Sequence, residues 1–559
     1  MGKGKRKKLF LIFHTQSPMP NARSQLTINQ MTKKQTWIIF GLSAACLTTP
    51  VLALTFSSSI DSLGIDALRL HKNPYNLTGN KIGIGQVEIG RPGKFGVDKA
   101  VSSNHVLPLV AVFLRNGPAK SNNGVDPHAH NVAGVMVSKD KAFPGVAPNA
   151  RLYSAAVGST KSQGQPEECL TAQHIATQNG GDVRAINFSF GEPLNRDPRP
   201  DAVLDGKALL TMCVDWSSRV HDVLYAIAGN QGKGGIPIPT DNYNAMNVAF
   251  SSRREQVFNK VDVSNLAAAN EGATARLAGK EINLGSRRSV AILSPGSNIR
   301  MLNPDGKVNK VTGTSFAAPH LTGTVALLQE FGDRELKSKK ANWSIVSRRH
   351  EVMKAVLLNS ADKIKDNGDG LRLGMTRTVI DKQNQDWLAS DAYKDAKIPL
   401  HAQMGTGHLN ASRALQQFSA GQWQSNQSVP ALGWDYNTVT ANNTVDYVLA
   451  KPLKANSFVA VTLTWDRLIE LEEKNNNQMY EEGENFRDRG LNNLDLYLVQ
   501  EGGNNNVAAC SSVSDVDNAE HIFCPVPAAG KYQIRVQYKQ QINESKQPYA
   551  LAWWTVPGN

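Results

Sequence analysis

The chain has 559 residues, of which 41% are hydrophobic and 19% charged. That length predicts two or three folded units, and that balance excludes a largely disordered, collagen-like or multi-span membrane protein. The net charge is +13, but eight basic side chains (Lys3, Lys5, Arg6, Lys7, Lys8, Arg23, Lys33, Lys34) fall in residues 1–53, which hold no acidic one; taking those eight from +13 leaves +5 for the remainder, with no basic stripe for nucleic acid.

Residues 1–30 read as an N-terminal extension upstream of a second start at Met31. Lys33 and Lys34 then form a charged segment, Trp37 to Leu47 an apolar core, and Val51-Leu52-Ala53 a small-residue cleavage site. This is the pattern of a secretory signal peptide over 31–53, which predicts a secreted or periplasmic protein with no membrane attachment after cleavage. An uncleaved anchor helix and a lipid-attached Cys46 are the alternatives. Cleavage leaves Cys169, Cys213, Cys510 and Cys524, which allow three pairings in an oxidising compartment. Proximity favours Cys169–Cys213 and Cys510–Cys524, and four buried free thiols are the competing reading. No CxxC or clustered His/Cys pattern points to zinc.

From about residue 80 to 330, short apolar runs alternate with helical patterns. Residues 81–88, 151–157, 184–190 and 223–229 read as strands, and 130–138, 170–178 and 206–219 as helices. That alternation predicts βαβ units and a mostly parallel α/β sheet covered on both faces. After about Trp423 the period changes to two. Val459, Val461, Leu463 and Trp465 alternate with polar or small residues, as do Leu494, Leu496 and Leu498, then Tyr532, Ile534 and Val536, then Tyr549, Leu551 and Trp553. This predicts a C-terminal antiparallel β-sandwich, jelly-roll-like, over 426–559. The charged stretch from Glu470 to Arg489 reads as a solvated excursion from it.

The segment Gly313-Thr314-Ser315-Phe316-Ala317-Ala318-Pro319-His320 opens an apolar, small-residue helix. It places Ser315 where a loop becomes a helix, with unpaired N–H groups facing outward. Pro319 is expected in the first turn, where a missing N–H costs nothing. A nucleophilic serine needs a base, and His128-Ala129-His130-Asn131-Val132-Ala133-Gly134 supplies two histidines ahead of another small-residue helix. The base needs an orienting carboxylate, and the first strand ends at Glu88-Ile89-Gly90. The strand Ala226-Ile227-Ala228 runs into Gly229-Asn230-Gln231-Gly232, where Asn230 is a candidate amide donor for an oxyanion.

Together these segments resemble the subtilisin-like serine proteases, the subtilases, over about residues 65–418. The order acid, His, Ser is the subtilisin order. Ser315 matches the family's nucleophile, His128 the first histidine of its HGTHVAG motif and Asn230 its oxyanion asparagine. Gly145-Val146-Ala147-Pro148, Ala185-Ile186-Asn187-Phe188-Ser189-Phe190-Gly191, Ser294-Pro295-Gly296 and Gly405-Thr406-Gly407 add support. The main departure is Glu88, where the family has aspartate in a D-[ST]-G turn. Asp66 and Asp98 lack the strand context, and glutamate performs the same role in known triads. Sedolisin relatives use glutamate, but with a second aspartate and an acidic oxyanion residue, which Asn230 and His128 oppose.

The resemblance implies a subtilisin-like doubly wound fold over 54–425 and a secreted, monomeric endopeptidase acting on polypeptides. It implies substrate lying along Ser189, Phe190 and Gly191, with Thr314 assisting the oxyanion. No cofactor is needed for the chemistry, and structural calcium is compatible with the family. A catalytically inactive binding or adhesion protein is the alternative. A lipase or esterase is excluded by the absence of a G-x-S-x-G elbow at Ser315.

Overall fold

A computed structural model describes residues 59–101, 106–157, 164–200, 202–229, 231, 238–254, 257–262, 287–501 and 508–558. The predicted signal segment 31–53, with Cys46, and Asn230 lie outside them. Among the described residues no helix is long and apolar enough to cross a membrane.

Seven strands form the centre of the first sheet: β1 (Gly83–Glu88), β2 (Leu109–Leu114), β3 (Arg151–Ala156), β4 (Val183–Phe188), β5 (Leu224–Ala228), β6 (Met246–Arg254) and β7 (Val290–Pro295). They lie parallel in the order β7-β6-β5-β4-β1-β3-β2, and short edge pieces bring the sheet to ten strands. Every residue of β1, β4, β5 and β7 is buried, as expected for a sheet covered on both faces. One face packs on α1 (Pro127–Val137) and α4 (Thr314–Lys337), with α5 (His350–Asn359) and α6 (Ala411–Ser419) in the same core. The other carries α2 (Gln165–Ala176) and α3 (Leu209–His221). This is the doubly wound fold that the alternating pattern predicted.

The strand order fixes where a site can form. After β3 the chain crosses over β1 to start β4 on its other side, so β1 sits at the switch point of the sheet. Crevices open at the carboxyl ends of strands there. Glu88 ends β1, Ser189 follows β4 and Gly229 follows β5.

The C-terminal region holds two four-stranded antiparallel sheets. The first is β8 (Leu432–Thr440), β17 (Lys546–Trp554), β10 (Phe458–Thr464) and β15 (Ala519–Pro525); the second is β9 (Thr444–Val448), β16 (Tyr532–Gln540), β13 (Asn493–Gln500) and β14 (Ala508–Ser512). Their inward residues share one core, with Val461 and Leu463 on one sheet and Leu496 and Ile534 on the other. On β17 the alternation is visible in the side chains. Tyr549, Leu551 and Trp553 enter the sandwich core, whereas Ala550 and Ala552 join the core that covers the parallel sheet. Small residues on the outer face let helix α5 approach the sheet closely.

Two disulfides are present: Cys169–Cys213 ties α2 to α3 with Cα atoms 5.9 Å apart, and Cys510–Cys524 ties β14 to β15 at 6.6 Å. They are the pairs that proximity favoured.

The stretch from Glu470 to Arg489 is not a solvated excursion. Strands β11 (Ile469–Glu472) and β12 (Asn485–Asp488) form a hairpin whose Ile469, Tyr480 and Phe486 bury against Trp216 and the Cys169–Cys213 bridge. Gln173 on α2 donates to the Tyr480 carbonyl (3.1 Å) and accepts from its N–H (2.7 Å). Most of the charges face solvent, with Glu484 buried as the acceptor of the Lys474 and Glu481 N–H groups, while three spaced apolar residues make the contact, a pattern that composition alone conceals.

A second tie is ionic. His350 is fully buried, with Nδ1 2.9 Å from Asp222 and 3.1 Å from Glu351, and Nε2 3.1 Å from Asp466, which follows β10. Arg349 reaches Glu351 (2.8 Å) and Asp222 (3.6 Å), and the Tyr436 hydroxyl donates to Glu351 (3.3 Å). Burial pulls the imidazole down, but the carboxylates of Glu351, Asp466 and Asp222 outweigh it and hold His350 at about 10. A folded pKa above the unfolded value gives stability that is complete below about pH 6.5 and lost as pH rises through about 10. His350→Gln is therefore expected to cost about 3–5 kcal/mol near pH 6, with the penalty shrinking toward pH 10. Denaturant melts of both proteins at several pH values check this, and a penalty independent of pH contradicts it.

Candidate active site

Glu88 is held by its backbone on both sides. Its carbonyl accepts from Val157 N–H (2.8 Å), and the following turn is pinned by Arg91 N–H to Gly124 O (2.7 Å) and Asp126 N–H to Arg91 O (3.0 Å). Gly90 is required here, because a Cβ would lie 2.3 Å from the Asp126 Cβ. The Arg91 guanidinium is buried in a two-pronged pair with Asp98 (2.7 and 2.8 Å), and Asp66 pairs with Arg69 (2.9 Å). Both aspartates that lacked strand context are thus committed elsewhere.

Helix α1 begins with Asp126 as N-cap, accepting from Ala129 N–H (3.1 Å), and Pro127 in the first helical position, where its missing N–H and fixed φ are favourable. His128 follows. Its Nδ1 lies 3.4 Å from Glu88 Oε2, an ion-pair distance that is long for a hydrogen bond. The histidine side chain is 33% exposed and the glutamate 2%. Burial pushes the Glu88 carboxyl up, against the pull of His128. Burial lowers the His128 imidazole, but the Glu88 carboxylate, with Asp126 as a second one, outweighs it and holds the histidine above its ordinary value. Glu88 Oε1 is buried without a hydrogen-bond partner. His130, the second histidine of the motif, is buried and accepts from Gly93 N–H at 3.2 Å. Burial takes it down to about 4, so it is a neutral acceptor that fixes the 90s loop.

Ser315 stands in the first turn of α4, behind Gly313 with φ +146°, a backbone state that favours glycine. Pro319 falls in the second turn of this helix rather than the first. Its missing N–H leaves the Ser315 carbonyl without an intrahelical donor, and the Ser189 hydroxyl supplies one at 2.9 Å. In return Ser315 Oγ donates to the Ser189 carbonyl at 3.2 Å, and Asn187 Nδ2 donates to Ser189 Oγ at 2.8 Å. The proline therefore couples the helix start to the segment after β4. Phe316, next to Ser315, sets its ring 5.3 Å from that of His128. Phe190 is buried and stacks on Phe188 at 5.1 Å, and Gly191 is half-buried. The Thr314 N–H and hydroxyl both donate to Gln231 Oε1, at 2.6 and 3.0 Å.

Of the residues singled out in the sequence, Glu88 and His128 are in contact, and Ser315 meets Ser189. The ring contact through Phe316 joins the two groups. Three contributors were not anticipated: Asp126, Asn187 and Gln231. Asp126 had a signal, an acidic cap ahead of proline at a helix start. The other two act through contacts that leave no periodic trace.

A serine at a helix start, a histidine whose ring meets that of the next residue, and a carboxylate at the tip of a switch-point strand thus stand together on an α/β fold. Residues 110–376 match the model of the subtilase family. His128 and Ser315 lie inside the matched stretch, and Glu88 lies before it. The chain is 27% identical over 247 residues to the major intracellular serine protease of Bacillus subtilis (strain 168), covering 43% of this chain and 66% of that protein. It is 27% identical over 243 residues to subtilisin DY of Bacillus licheniformis, covering 42% and 74%. Among solved structures, the prenylagaramide maturation protease PagA aligns with a TM-score of 0.39 at 19% identity, covering 64% of this chain and 99% of that one.

Proposed function

We propose that the protein is an exported serine endopeptidase. His128 takes the proton of Ser315, whose oxygen attacks the scissile carbonyl. The amine leaves with the proton held by the histidine, and water releases the acyl group by the reverse sequence. Glu88 fixes the imidazole tautomer and stabilises the imidazolium. The Ser315 N–H and the Asn230 amide hold the oxyanion, with Thr314 beside them. The peptide lies along Ser189, Phe190 and Gly191, where main-chain bonding tolerates many sequences. Residues 54–425 act as the catalytic domain and 426–559 as an accessory one, in a monomer. Two disulfides fit an oxidising compartment.

The observation that carries this reading is the Glu88–His128 pair at 3.4 Å beside the helix that carries Ser315 in its first turn. The chemistry needs no cofactor. Structural calcium remains a family-based proposal without assigned ligands. Asp222, His350 and Glu351 stand within metal-ligand reach of one another, but an imidazole and the adjacent Arg349 make the cluster unsuited to a hard oxygen-seeking cation.

A fluorophosphonate probe is expected to label Ser315 covalently, with the adduct located by peptide mass mapping. A folded protein that takes no label supports the inactive binding protein instead.

A further inference from the structure

We propose that Gln231 is a positioning residue that holds the hydroxyl proton of Thr314 away from the oxyanion and so sets how much Thr314 contributes to turnover. This rests on the endopeptidase reading above. Helix α4 runs 24 residues, yet its N-cap Gly313 has no side chain with which to cap it. The first helical N–H, on Thr314, has no partner within the helix. Gln231 serves as the cap from 83 residues away, accepting that N–H at 2.6 Å. The same oxygen accepts the Thr314 hydroxyl at 3.0 Å. A hydroxyl has one proton to give, and here it is directed at Gln231. The close approach depends on Gly313, since a Cβ there would sit 2.8 Å from Gln231 Oε1. Thr314 is buried, so water does not readily replace the glutamine as acceptor.

The test is a double-mutant cycle in the full-length protein, with kcat and KM measured separately on one chromogenic peptide. In the Gln231 background, Thr314→Val is expected to lower kcat by a clearly smaller factor than in a background without that acceptor, because the proton it removes is already committed. In the Gln231→Met background, which keeps the length but loses the acceptor, the same change is expected to lower kcat about tenfold, one hydrogen bond's worth, with KM unmoved. Gln231→Glu restores an acceptor and is expected to restore the small effect. A purely structural cap predicts the same Thr314→Val cost in all three backgrounds, and that result overturns the proposal alone. A wild-type protein that neither cleaves peptide nor takes the fluorophosphonate overturns the endopeptidase reading and this one with it.

Discussion

Ser315→Ala is expected to lower peptide turnover by about 10⁶-fold, the loss that removal of the nucleophile causes in subtilisin. No neighbouring hydroxyl can take over. Ser189 Oγ is engaged with the Ser315 carbonyl and accepts from Asn187, and the Thr314 hydroxyl points at Gln231. The fold should survive the change. The bond lost is a 3.2 Å contact from Ser315 Oγ to the Ser189 carbonyl, worth about 1 kcal/mol. The reciprocal bond from Ser189 uses the Ser315 backbone carbonyl and persists with alanine. Turnover of a chromogenic peptide and a thermal melt on the same preparation make the check. Retained activity with a wild-type melt removes Ser315 from the mechanism.

How far the sequence shows this site depends on the range of each contact. Strand β1 is legible because its apolar run stops at a carboxylate and a glycine, and Ser315 is legible because small residues and a proline crowd around it. Strand β2 escapes notice because Leu109–Leu114 is a continuous apolar run without alternation, which does not distinguish strand from helix. Pro319 sits one turn further into the helix than its sequence suggests, because the freed Ser315 carbonyl is satisfied by Ser189 across 126 residues. The β11–β12 hairpin is hidden in the sequence for a similar reason. Its three apolar anchors are diluted among charges, and their partner, Trp216, lies on helix α3, more than 250 residues earlier in the chain. Local chemistry is written locally, whereas side chains that join two segments need both ends to be seen at once.

Glu88→Gln is expected to lower turnover by about 10⁴-fold, as the acid-to-amide change does in the serine-protease template. The amide has two ways to face His128 Nδ1. With its NH2 toward the ring it selects the wrong tautomer. With its carbonyl toward the ring it leaves the NH2 at the position of Oε1, which is buried and has no partner, at a cost of about 1–3 kcal/mol. In either pose the imidazolium loses its counter-charge. The pH profile carries a second signature. His128 must be neutral to act as base, so activity rises with pH through its pKa, which Glu88 holds above the ordinary value. In the glutamine variant burial still pulls the histidine down while the main opposing carboxylate is gone, and the acid limb of kcat/KM is expected to move to lower pH. Glu88→Asp keeps the charge but shortens the reach. The contact is already 3.4 Å, and the backbone cannot advance to compensate, because Val157 holds the Glu88 carbonyl and Gly90 is packed against Asp126. That variant is expected to fall between wild type and glutamine in turnover, with its acid limb close to wild type. Near-wild-type turnover and an unmoved acid limb in Glu88→Gln would pass the orienting role to Asp126, the other carboxylate that raises His128, and Asp126→Asn would then be the variant that loses activity.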